Sequence, residues 1–244
     1  MSSTLSGEQG ATLTGADRAE YVRAMFGRIV PRYDLFNTLS TFGQDARWRK
    51  LVVRYANLPP GGRALDVATG TGAVAFALAR SAPTAAVEGL DFCAPMIEAA
   101  QAKAGVQLAQ PTFVVGDVLS LPYEDQSFDC LTISFGLRNV ADIPRALSEM
   151  RRVLKPGGRF VCLELTHPRS QLIKVGFQVY FYKLAPLLGA WLSGDRNAYS
   201  YLPHSLTAFP TAPVLARHLR QAGLRDVQYR RMNFGTIAIH RAVR

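Results

Sequence analysis

The chain has 244 residues, 48% of them hydrophobic and 19% charged, a size and balance that bury a full core in one domain and exclude a disordered chain. Twenty-eight Lys and Arg face 18 Asp and Glu, a net charge of +10. That excess suits an anionic partner (nucleic acid, an acidic membrane face, an acidic substrate) or serves solubility alone. Cys93, Cys130 and Cys162 form no C-x-x-C pair and have no histidines at ligand spacing, so no metal site is expected; they read as buried thiols in a reducing, cytoplasmic compartment.

Residues 1–15, "MSSTLSGEQGATLTG", lack a basic start and an apolar centre, and read as a disordered leader rather than a signal peptide. Residues 16–57 form a helical cap: Val22, Met25, Phe26 and Ile29 fall at helical spacing, and "TFGQDARWRKLVVRYA" gives a further helix after a glycine turn. After "NLPPGG" strands and helices alternate through 63–165. Strands are predicted at Arg63–Ala68, Ala85–Leu90, Thr112–Val115, Phe128–Phe135 and Arg159–Leu163. Helices fall near Gly72–Arg80, Ala94–Ala104 and Asp142–Leu154. Over 166–205 the alternation lapses. "QLIKVGFQVYFYKLAPLLGAWL" has a polar stripe at Gln171, Lys174, Gln178 and Tyr182, and its lysines, Gly and Pro argue against a membrane span. It reads as a helical insertion, either a lid over a pocket or an amphipathic surface helix. Residues 206–244 close the chain with a helix, Ala212–Ala222, and two strands, Asp226–Met232 and Gly235–Val243, which the short "NFG" turn forces to pair antiparallel. The expected fold is α/β: a doubly wound, seven-stranded, mostly parallel sheet with one antiparallel strand.

Gly70-Thr71-Gly72-Ala73-Val74-Ala75 matches the loose G-x-G-x-x-G/A turn, and Asp91 lies about 20 residues on, where an acid holds a ribose. Taken alone this suits a nicotinamide dinucleotide. Asp66, at the end of the first strand, argues otherwise, because a carboxylate beside the loop repels a pyrophosphate. It suits S-adenosylmethionine, which has no phosphate and carries an ammonium and a sulfonium. No Gly-Lys-Ser/Thr follows the turn, so a nucleotide triphosphate loop is absent. Asp117, directly after the third strand, stands outside the carboxyl ends of the sheet, where such folds bind ligands. There it can accept a hydrogen bond from an adenine amine while the Val118 N–H donates to a ring nitrogen. Three acids ending three successive strands select S-adenosyl-L-methionine.

With "YDLFN…WR", "LDVATGTG", "ISFGLRNV", "RVLKPGGRF" and "YLPHSLTAFP", the chain resembles the class I methyltransferases from about Met25 to Val243. More narrowly it resembles the ubiquinone/menaquinone biosynthesis C-methyltransferases. Ala68 departs from the class pattern, where a glycine is common. The resemblance implies a Rossmann-like fold and cofactor contacts from Thr71, Asp91, Asp117, Val118 and Ser134. It also implies C-methylation of a polyprenyl quinol ring, demethylmenaquinol to menaquinol, with the benzoquinol of the ubiquinone pathway or another small hydrophobic acceptor as the alternatives. A non-catalytic RNA-binding protein is the distant alternative. "ISFGLRNV" lacks the Asn/Asp-Pro-Pro-aromatic run of base N-methylating enzymes, so no nucleic acid partner is expected.

A quinol ring carbon becomes nucleophilic as its neighbouring hydroxyl loses a proton. Arg138, after the fourth strand, is the candidate cation for the resulting charge, or else a surface charge. Asn139 beside it is either part of the site or a helix cap with Asp142 as its acid. Arginine stays protonated, so water, Tyr201 or His240 is left to take the proton; His240, on the last strand, reads equally as a packed core residue. A membrane-borne substrate places the enzyme in the cytoplasm, with contact to the anionic inner face of the plasma membrane and room for a homo-oligomer.

Overall fold

The computed structural model describes residues 6–105, 110–184, 186–187, 189 and 196–244. Three helices precede the sheet: α1 (Gly7–Thr12), α2 (Gly15–Ser40) and α3 (Gln44–Ala56). The expected leader is therefore corrected from Ser6 onward. "SGEQ" is a capping box: Ser6 Oγ accepts the Gln9 N–H (3.3 Å), and Gln9 Oε1 accepts the Ser6 N–H (2.9 Å). Gly10 lies so close to the Tyr21 ring that no Cβ would fit there.

The alternating region gives β1 (Arg63–Val67), α4 (Ala73–Ser81), β2 (Ala86–Asp91), α5 (Ala94–Ala104), β3 (Thr112–Val115), β4 (Phe128–Ser134), α6 (Ile143–Val153) and β5 (Leu154–Leu165). The insertion contributes α7 (Gln171–Val179), a π-helical stretch at Tyr180–Leu184, and α8 (Arg196–Thr207); its residues 185, 188 and 190–195 lie outside the described residues. α9 (Ala212–Gln221), β6 (Arg225–Met232) and β7 (Ile237–Val243) complete the chain. The predicted strands are all present. β5 runs from Leu154, earlier than expected, because Leu154 already pairs with Phe128; the Lys-Pro-Gly-Gly segment is a register irregularity before Arg159 pairs with Cys130.

The described strands form one sheet in the order β3-β2-β1-β4-β5-β7-β6. β1 to β5 pair parallel, and β7 runs antiparallel to both β5 and β6, the single reversed strand that was expected. The chain leaves β1 towards β2 and β3, then returns to place β4 on the other side of β1. The carboxyl ends of β1 and β4 thus flank the point where the winding reverses, which is where open α/β sheets bind ligands.

Alternation divides each strand between two cores. Leu65, Val67, Leu131, Ile133, Phe160 and Cys162 pack towards α6 and α9. Ala64, Cys130, Val161 and Leu163 pack towards α3 and α4. A third cluster joins α2 (Tyr21, Met25, Ile29, Phe36) to α8 (Tyr199, Tyr201), which clamps the insertion onto the N-terminal helices, while Leu206, Phe177 and Phe181 pack into the first core.

Candidate active site

The turn after β1 is tightly specified. Ala68 (φ 52°), Gly70 (φ 55°) and Gly72 (φ 84°) all take left-handed backbone. A Cβ on Gly72 would stand 2.6 Å from the Phe113 ring. Ala68, the departure from the class pattern, keeps its side chain in this strained conformation because Gly136 makes room: a Cβ on Gly136 would come within 2.4 Å of the Ala68 Cβ.

Asp91 ties this turn to β2. Its Oδ2 accepts the Gly70 N–H (2.8 Å) and its Oδ1 the Cys93 N–H (3.0 Å). Burial pushes its pKa up, and those N–H groups oppose the rise. Asp66 is 2% exposed, with Oδ2 accepting from Thr69 Oγ1 (2.7 Å) and Oδ1 from Thr132 Oγ1 (2.5 Å). Thr132 is its register partner on β4, so the contact follows from strand pairing. Burial, only partly offset by the two threonine hydroxyls, pushes the Asp66 carboxyl up to about 6. Asp117 is exposed; its Oδ1 accepts the Leu119 N–H (2.9 Å), which fixes the turn that carries Val118.

These residues line two adjoining cavities. The smaller, about 90 Å³, is bounded by Asp91, Phe92, Asp117, Val118, Ser134 and Asn139. The larger, about 840 Å³, includes Asp66, Thr71, Trp48, Arg138 and apolar residues of α7 such as Ile173 and Phe177. Phe26, Tyr33, Ala68, Gly70, Ser134 and Phe135 border both. Ser134 Oγ and Asn139 Oδ1 are buried without a hydrogen-bond partner. Orphan polar atoms of this kind are costly unless a ligand satisfies them. Together with two acids and a glycine turn, they fit a ligand with hydroxyl and amine groups.

The sequence did not reveal what holds Arg138. It is 6% exposed, so the surface-charge alternative is excluded, and it lines the larger cavity. Its Nη1 donates to Glu164 Oε1 (2.6 Å) and to the Phe135 carbonyl (2.6 Å), while Arg18 Nη2 donates to the Arg138 carbonyl (2.6 Å). Asn139 is not a helix cap: Asp142 caps α6, its Oδ1 accepting the Arg145 N–H (3.0 Å), because the helix begins three residues later than a cap at Asn139 requires.

Tyr201 and His240 stand apart from both cavities. Tyr201 is fully buried against Tyr21; burial raises its hydroxyl pKa, with Arg18 and Arg138 pulling it down. His240 is 1% exposed on β7, its Nε2–H donating to the Ala212 carbonyl (2.9 Å) and its ring beside Tyr229. Burial lowers its pKa to about 4. It is the packed core residue of the two readings. Three contacts at the turn escaped the sequence reading. Thr71 Oγ1 donates to Asp34 Oδ1 (2.6 Å), Asp34 pairs with Lys103, and Lys103 Nζ reaches the Thr71 carbonyl (3.3 Å). Tyr33 and Asp34 lie in "YDLFN", a run legible as a motif but not as a set of contacts.

A doubly wound sheet with acids closing successive strands around a glycine turn defines a class I methyltransferase fold. The chain belongs to the ubiE/COQ5 methyltransferase family, whose model matches residues 14–244. The demethylmenaquinone methyltransferase of Roseiflexus castenholzii is 44% identical over 93% of this chain and 94% of its own length. The ubiquinone/menaquinone biosynthesis C-methyltransferase UbiE of Geobacter sulfurreducens is 42% identical over 92% and 88%. Among solved structures, the Haemonchus contortus phosphoethanolamine N-methyltransferase 2 in complex with S-adenosyl-L-methionine matches in fold, with a TM-score of 0.63 at 15% identity over 93% of this chain and 58% of that one.

Proposed function

We propose that this enzyme methylates a ring carbon of a polyprenyl quinol with S-adenosyl-L-methionine, and that demethylmenaquinol is the acceptor. The observation that carries the reading is the buried guanidinium of Arg138 in the wall of a large, mostly apolar cavity that adjoins the acid-lined one. The name of the relative from R. castenholzii supports the naphthoquinol. The benzoquinol of the ubiquinone pathway is the second reading, supported by the two-pathway name of the relative from G. sulfurreducens.

In this reading the small cavity takes the adenosine. Asp91 accepts from the ribose hydroxyls, Asp117 and the Val118 N–H meet the adenine edge, and Ser134 and Asn139 gain the partners they lack. Asp66 and the Gly70–Gly72 turn face the methionyl end. The cofactor supplies a methyl group already activated on sulfonium, so the chain's own task is alignment and charge. Arg138 donates to the quinol oxygen as that oxygen loses its proton, and holds the growing negative charge. The proton leaves to water in the cavity, since neither Tyr201 nor His240 lines it. Incubation with labelled S-adenosylmethionine and each quinol, followed by mass analysis, tests this: a C-methylated naphthoquinol is expected, and an O-methyl ether would overturn ring-carbon transfer.

We further propose peripheral contact with an anionic membrane. No helix of the described residues is long and apolar enough to cross one. Phe42, Leu172 and Phe234 come from three separate segments, are 80%, 82% and 86% exposed, and all border the large cavity. Gln171–Leu184 carries Lys174 and Lys183 and no acid. Apolar tips with flanking cations are the make-up of an interfacial contact. Co-sedimentation with phosphatidylglycerol vesicles is expected for the parent and is expected to be lost in a Phe42→Ser/Leu172→Ser/Phe234→Ser variant. Equal sedimentation of the two leaves only the lid reading.

A further inference from the structure

A carboxylate stands where the strand pattern calls for an apolar side chain. Glu164 shares its face of β5 with Phe160 and Cys162, pairs in register with Ala238 and is 1% exposed. An ionised carboxyl in such a place persists only if it is paired and fully hydrogen-bonded. It is. Oε1 accepts from Arg138 Nη1 (2.6 Å) and from the Leu165 N–H (2.8 Å), and Oε2 accepts from the backbone N–H of Arg138 (3.2 Å).

One carboxylate therefore grips Arg138 at two points, main chain and guanidinium. The main-chain contact fixes the 3₁₀ turn Leu137–Asn139 on the end of β5. The side-chain contact, with the Phe135 carbonyl on the same Nη1, fixes the direction of the guanidinium. Nε remains buried without a partner. Stability alone gives no reason for this arrangement, because an apolar pair of similar volume commonly holds such a spot as well or better. Orientation of a charged fork does give one.

We propose that Glu164 is a positioning residue for methyl transfer, acting through Arg138. It aims the guanidinium at the acceptor's oxygen and compensates its charge, so that the cavity accepts a neutral hydroxyl in the ground state. The Arg138 hydrogen bond then strengthens only as the oxygen becomes anionic, and the contact acts on the rate rather than on binding. This rests on the quinol-methylation reading, and its test keeps the two apart.

Glu164→Gln keeps the size and the acceptor for Nη1 but removes the charge. The expected result is a kcat about ten- to a hundredfold lower, the scale typical of lost outer-shell partners, with KM for the quinol and cofactor Kd within about twofold. In an Arg138→Met background the same change is expected to have no further effect on kcat, since the two residues act as one unit. Arg138→Met/Glu164→Leu is expected to melt close to the parent and still turn over slowly, which separates positioning from folding. A parent-like kcat for Glu164→Gln overturns the proposal, as does an undiminished effect of Glu164→Gln in the Arg138→Met background. A readout without any acceptor is the side-chain Nε–H nuclear resonance of Arg138, assigned by its loss in Arg138→Met. It is expected to be sharp and protected from exchange in the parent and broadened in Glu164→Gln. If the parent methylates neither quinol, the substrate reading fails, while this resonance still upholds or overturns the clamp.

Discussion

A carboxyl raised to about 6 by burial, as that of Asp66 is, holds its proton more tightly in the folded chain than in the unfolded one, where 3.8 applies. Its favourable contribution, about 3 kcal/mol at roughly 1.4 kcal/mol per unit, is complete below about pH 3.8 and is lost as pH rises through 6. His240 has the opposite sign. Its pKa falls from 6.5 to about 4, so its neutral, buried form stabilises the fold above about pH 6.5 and that contribution drains away as pH drops through 4. The two slopes oppose each other over the shared window. Asp66→Asn, whose amide can still serve both threonine hydroxyls, should raise unfolding stability by about 1–3 kcal/mol at pH 7.5 without cofactor. It should also steepen the loss of stability between pH 6.5 and 4, where His240 then acts alone. Urea titrations across that range check both, and a flat pH response would contradict the assignment of His240. The same variant should bind S-adenosylmethionine at least tenfold more weakly, read by calorimetry. Asp66, Asp91 and Asp117 were legible because each ends a strand. Glu164 was not: one acid in an apolar run gives no sign of which distant cation it meets.

At the scale of elements, the turns after β1 and β4 are built as one unit. Ala68 carries a side chain at φ 52°, and the missing side chain of Gly136 leaves room for it. Gly136→Ala, at an ordinary φ of −106°, should cost about 1–3 kcal/mol by overpacking. Ala68→Gly should relieve about 1 kcal/mol of left-handed strain at most, offset by the greater freedom of glycine when unfolded. The double variant should recover most of the loss, giving a coupling that thermal melts of the four proteins measure; simple additivity would mean the two turns do not touch. Periodicity revealed the strands and helices because period 2 and period 3.6 survive in sequence. It did not reveal that Gly136 answers Ala68, since that contact joins the turns after two different strands with no local pattern. "SGEQ" did carry the signal for α1, but one short capping box among polar residues reads as leader until Tyr21 is seen packing against it.

At the scale of the molecule, the sheet supplies a fixed floor and the N-terminal helices and insertion supply the walls. Lys103 and Asp34 bring α5 and α2 together over the Thr71 carbonyl and hydroxyl, so the helical cap is tied directly to the turn it covers. Six residues, Tyr33 and Ser134 among them, face both cavities. That shared wall has a temporal consequence. On the proposed assignment, a bulky quinol in the large cavity lies against that shared wall, and traffic through the site is expected to run last in, first out. Cofactor is then expected to arrive before acceptor, and methylated quinol to depart before S-adenosylhomocysteine. In steady-state kinetics S-adenosylhomocysteine should then inhibit competitively against S-adenosylmethionine and non-competitively against the quinol. Excess quinol should slow turnover by trapping the spent cofactor beneath it. Methylated quinol that inhibits competitively against the quinol, with no slowing by excess quinol, would mean the two cavities fill and empty independently. With the expected pattern, each turn of the cycle ends only when the floor of the stack clears.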